Sequence, residues 1–110
     1  MKRFIAIYNT PVEAAKAYAQ ASAEEKQKGM EAWMTWKAKN EKHIVDFGAP
    51  LMPGESLDEN NNWSNASSTA NGYSILQAES MNELKSILND HPHTASNVGA
   101  SIEIKEFMPM

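Results

Sequence analysis

Two histidines, His91 and His93, flank Pro92 in the stretch NDHPHTASNVGASIEI (89–104). In an extended x-Pro-x segment the side chains at i and i+2 point the same way, which suits two imidazoles to one metal ion or one substrate. A metal needs a third ligand held by hydrogen bonds of its own, and no carboxylate stands at a fixed spacing from the pair. The expectation is therefore no metal and no cofactor. Acid/base work is the chemistry that remains, because imidazole is the side chain that titrates near neutrality. His93 is the candidate base, with Asp46 as a carboxylate reaching it across strands. His43, the third histidine, does not pair with Asp46: three residues apart on a strand, the two face opposite ways. A plainer reading stands beside the chemical one. His91 near a helix C-terminus interacts well with free carbonyls, Pro92 stops that helix, and His93 bonds loop backbone.

Binding residues are sought among the aromatics. Trp33 and Trp36 are placed to wall a pocket between a long helix and a sheet, with Tyr73 and His91 beside them. Aromatic stripes at helical spacing more often fill a core or a subunit contact than carry a ligand. Trp63 lies in the polar stretch 51–71, LMPGESLDENNNWSNASSTAN, which reads as a lid over that pocket, a dimer contact or a plain connector.

The elements that must position these residues follow from the pattern. FIAIY (4–8) is a strand, with Phe4, Ala6 and Tyr8 on one face and Ile5 and Ile7 on the other. TPVE begins a helix, with Thr10 as cap and Pro11 first inside, and SAEE begins a second, so 11–41 is helical with a bend near Ser22. In the longer piece Met30, Trp33, Met34 and Lys37 make one face, Trp36 sits at its margin, and the lysine stem lies on the aromatic surface. HIVDFGAP (43–50) and GYSILQA (72–78) are strands. SMNELKSILND (80–90) is a helix capped by Ser80, with Met81, Leu84, Ile87 and Leu88 buried. ASIEIKEF (100–107) closes the sheet with Ile102 and Ile104 inward. This order predicts an α+β, ferredoxin-like βαββαβ sandwich over residues 1–110, with a four-stranded antiparallel sheet. Phe4, Tyr8, Val45, Phe47, Tyr73, Ile75 and Phe107 are too many large apolar groups for both sheet faces to be wet, so a homodimer through the sheet face is expected.

Totals narrow the class. At 42% hydrophobic and 22% charged the chain is expected to fold. A net charge of −4 without a basic cluster argues against nucleic acid. No apolar run approaches the ~20 residues of a membrane span, the apolar start is too short for a signal peptide, and there is no cysteine for disulfide or thiolate chemistry. A cytoplasmic protein is the expectation.

EAWMTWKAKNEKHIVDFGAPL, NGYSILQAESMNELKSIL and HPHTASNVGASIEIKEFM, in that order and spacing, resemble the YCII-related (DGPF-type) family over roughly residues 30–108. The resemblance implies a ferredoxin-like fold dimerised into a dimeric α/β barrel, and its P-H element falls on Pro92-His93. Some relatives use a histidine on the first helix with a nearby aspartate. Residues 11–42 here hold neither type, and the region of the D-G-P-F signature reads ENNNWSNASS. Two functions fit: a dimeric protein that binds a small organic molecule in the helix/sheet cleft without catalysis, or a cofactor-independent acid/base enzyme, lyase- or isomerase-like, using His93.

Overall fold

Alternation of buried and half-buried residues builds the central strand. The computed structural model describes residues 1–109, and β1 (Lys2–Asn9) holds Phe4, Ala6 and Tyr8 under the helices while Ile5 and Ile7 face away. Two helices follow, α1 (Val12–Ala19) and α2 (Ala23–Lys39), then a 3₁₀ turn (Glu41–His43) and β2 (Ile44–Pro50). A short hairpin, β3 (Glu55–Leu57) and β4 (Trp63–Asn65), leads to β5 (Ala70–Ala78). α3 (Met81–Leu88), α4 (Pro92–Ser96) and β6 (Ser101–Glu106) complete the order. The main sheet runs β2-β5-β1-β6, antiparallel at every pairing, which is the expected ferredoxin-like arrangement.

The serine caps are where the sequence puts them. Ser22 Oγ accepts from the Glu25 amide and Ser80 Oγ from the Glu83 amide, each at 3.1 Å. Thr10 does not cap α1; its hydroxyl bonds Asn71 and Pro11 takes the cap position. The face of α2 also differs from expectation. Trp36 is its one buried residue and Trp33 is half-buried, whereas Met30 and Met34 stay exposed. The two tryptophans meet a core of Phe4, Ala6, Tyr8, Leu76, Ala78 and Leu84, which the methionine flank does not join.

The stretch 51–71 is not irregular throughout. β2 and β5 are neighbours, and the chain between them continues their ladder outward as an arm: Leu51 N–H donates to Asn71 O, Ala66 N–H to Gly54 O, and Leu57 pairs with Trp63. Asp58 closes the tip by accepting from the Asn60 and Asn62 amides at 2.8 and 2.9 Å. All six residues of β3 and β4 are exposed.

The accessible surface of 7973 Å² exceeds by about 1,900 Å² the roughly 6,100 Å² of a compact 12.2 kDa monomer. The face of the sheet away from the helices carries Ile5, Ile7, Tyr73 and Ile75, each half-buried. No helix among the described residues is long and apolar enough to cross a membrane.

Candidate functional site

The helix side of the sheet holds a cluster of aromatic and imidazole rings. Tyr8 comes from β1, Trp33 and Trp36 from α2, and His91 and His93 from the start of α4. The His91 ring lies 4.4 Å from Trp36 and 4.6 Å from Trp33 between centroids, and Tyr8 lies 4.9 Å from Trp33 and 5.3 Å from each histidine. Phe47 of β2 joins at 6.0 Å from Trp33. Tyr8 donates to Ser74 Oγ, which donates to the Phe47 carbonyl, so the phenol is held within the core and burial pushes its pKa up.

α4 explains both histidines, and it corrects the expected role of the proline. α3 ends at Leu88, two residues turn, with Asp90 at positive φ, and Pro92 opens α4 at its first position rather than merely stopping α3. His91 is the N-cap: its Nδ1 accepts the His93 amide at 3.0 Å. That bond assigns the remaining ring proton to Nε2, which is buried with no hydrogen-bond partner. His91 is therefore not the solvated imidazolium expected at a helix C-terminus. Burial, helped by the charge of His93, pulls its pKa down to about 4.

The cap geometry also separates the two rings' tasks. His93 Nε2 lies 2.9 Å from the Asn9 carbonyl, which makes it the N–H donor and leaves Nδ1 with the lone pair. His91 Nδ1 is already an acceptor. The two imidazoles do not converge on one point as a pair of metal ligands, and among the described residues no three His, Cys, Asp or Glu side chains cluster to hold a metal.

Asp46 is on the other side of the sheet. It pairs with Ile75, whose neighbours Ser74 and Leu76 point into the helix layer, so Asp46 shares the open face with Ile75 and Tyr73. Its Oδ1 accepts from the Gly48 amide at 2.9 Å and its Oδ2 from the Tyr73 hydroxyl at 3.4 Å. The structure thus brings Asp46 to Tyr73 and does not bring it to His93; the expected Asp46–His93 pairing is corrected by the register. Trp63 stands out on the arm, 65% exposed, and covers none of the cluster. His43 is a structural residue, with Nδ1–H donating to Gln77 O at 3.0 Å.

A groove of about 340 Å³ opens at the β2 edge between α2 and the sheet, lined by Lys37, Glu41, Ile44, Val45, Asp46 and Phe47. The Lys37 ammonium sits 5.0 Å above the Phe47 ring. Phe47 is the partition: its ring meets Trp33 and also lines the groove. Tyr8, Phe47 and Ser74 were not singled out for the site from sequence. Alternation along FIAIY places Tyr8 on the helix side; nothing comparable marks Phe47, because β2 shifts register twice around it.

A family model for the YCII-related domain matches residues 1–108, so the likeness extends over β1 and both first helices. No curated protein matches the chain. Among solved structures, the fold is similar to that of 5-chloro-2-hydroxyhydroquinone dehydrochlorinase (TftG) from Burkholderia phenoliruptrix AC1100, in complex with 2,5-dihydroxybenzoquinone. The TM-score is 0.52 at 18% identity, over 94% of this chain and 91% of that one. At that identity the likeness is one of fold.

Proposed function

The chain belongs to the YCII-related domain family, and from that premise we propose that it binds a small planar organic molecule in the groove between α2 and β2. The observation that carries the reading is the pairing of Lys37 with Phe47 at the groove wall. A flat ring packs against Phe47, the ammonium meets a ring oxygen, and the carboxylate of Glu41 accepts from a ring hydroxyl. A hydroxylated aromatic or hydroxyquinone has this pattern of groups, and the structural neighbour's bound dihydroxybenzoquinone is of that class. Calorimetric titration with 2,5-dihydroxybenzoquinone, followed by amide shifts in NMR, tests it. Saturable binding with shifts at Lys37 and Phe47 is expected, weakened about tenfold or more (at least ~1.4 kcal/mol) by Lys37→Met. No saturable heat, or shifts elsewhere, sinks the proposal.

A second reading, cofactor-independent acid/base catalysis, is favoured by the fixed tautomer of His93: its Nε2–H is spent on Asn9 O, which leaves Nδ1 as a base. It draws no support from Asp46, which is held by Tyr73 and Gly48. Release of chloride from 5-chloro-2-hydroxyhydroquinone, lost in His93→Phe, is the outcome this reading requires. We further infer a homodimer that pairs the open sheet faces, with the excess surface as its support.

A further inference from the structure

The arm of β3 and β4 is amphipathic. Leu57 and Trp63 are opposed on one of its faces and Ser56 and Ser64 on the other. Such alternation marks a strand pair with one face to bury, yet Leu57 is 49% and Trp63 65% exposed. The arm is also a finished element. Its rungs and its Asp58 tip are hydrogen-bonded, so little further ordering is needed when it docks. From Leu51 to Leu57 it overhangs the sheet by roughly 20 Å, at about 3.3 Å per residue.

We propose that this arm grips a second copy of the chain, laying Leu57 and Trp63 on the exposed methionine flank of the partner's α2, with the partner's arm returning the contact. Two observations select that occupant. The first is charge. Residues 51–71 include Glu55, Asp58 and Glu59 and no lysine or arginine. On α2, Lys26, Met30, Met34 and Lys37 fall within roughly 80° of the helix circumference, while Glu24, Glu25 and Glu31 lie outside that stripe. An acidic apolar arm thus meets a methionine strip with a lysine toward each end. Sulfur–aromatic contacts between methionine and tryptophan suit such an adaptable seat. The second is exposure. Large apolar groups stand in the open on both sides of the contact, Leu57 and Trp63 on the arm and Met30 and Met34 on α2, the last two 57% and 44% exposed. Reciprocal arms form a closed two-fold contact, which stops at two copies.

Cross-linking gives a direct test, because the chain has no cysteine of its own. Mixing a Trp63→Cys copy with a Met34→Cys copy under oxidation is expected to give a disulfide-linked pair of unlike chains. Sedimentation of the Leu57→Ser/Trp63→Ser double variant is expected to show self-association weakened at least about tenfold. Its melting temperature is expected to fall only by the few degrees that weaker association itself costs, since the arm covers none of its own core. The proposal is overturned by a monomeric parent chain, by an unchanged dimer in the double variant, by absence of the mixed cross-link, or by a large fall in melting temperature. Failure of sheet-face pairing alone is read separately, from Ile7→Arg.

Discussion

His91 couples stability to pH through one buried nitrogen. The unfolded chain titrates this residue near 6.5, while the folded state holds its pKa down to about 4, so the fold favours the neutral ring. Its contribution is complete above pH 6.5 and is lost as pH falls toward 4, at about 1.4 kcal/mol per unit, on the order of 3 kcal/mol in all. Urea midpoints measured from pH 7 to 4 are expected to fall in that window. His91→Leu, which keeps ring-like bulk but cannot charge, is expected to flatten the slope there. At pH 7 the same variant loses the cap on His93 N–H, a cost of about 1 kcal/mol. A slope identical in both proteins refutes the assignment. The sequence made the pair His91/His93 visible by type and spacing, but their roles depend on α4. Histidine is an uncommon N-cap, and Pro92 is compatible with stopping one helix or starting the next. Only the turn at Asn89–Asp90 decides between them, and it does both within four residues.

At the scale of elements, β2 hangs on Gly48. Its φ is +81°, and a Cβ there would collide with the Tyr73 carbonyl of the neighbouring strand. Gly48→Ala is expected to cost at least about 2 kcal/mol by chemical denaturation. Amide exchange should quicken along Ile44–Pro50 and not in β1 or β6; protection unchanged in β2 would contradict this. Strands β1, β5 and β6 were legible because strict alternation of period two survives in all three, and α2 and α3 because serine and glutamate stand three apart at their starts. The arm was not legible. Strands of three residues are too short to display a period, and the run of asparagines around Asp58 reads equally as turn or as coil. The core face of α2 was misjudged for a related reason: periodicity gives a stripe, and Trp36 beside that stripe outweighs two methionines once the volume beneath the helix is limited.

The molecule as a whole measures 44 × 42 × 20 Å, with a radius of gyration of 15.4 Å against about 13 Å for a compact chain of this length. The open face of the sheet, with Ile5, Ile7, Tyr73 and Ile75 half-buried on it, is the surface proposed to pair with a second copy. Ile7→Arg, set in the middle of that face, is expected to shift sedimentation at micromolar concentration from dimer toward monomer while leaving the helix-side core and its melting transition in place. A dimer indifferent to this charge would place the interface elsewhere. The charge total, the want of cysteine and the strand order were all legible in the sequence, but the excess of surface was not, because it depends on how far the arm stands off. The register shifts of β2, between Ile44 and Asp46 and again before Ala49, have a further effect at this scale. They roughen one rim of the sheet, while Ser101, Glu103 and Lys105 put polar groups along β6 at the other. The β2 rim therefore offers no flat row of backbone groups on which another strand can add, and charged side chains flank the β6 rim. The pairing of two copies proposed above would thus stay closed at β2, where no further strand can add in register.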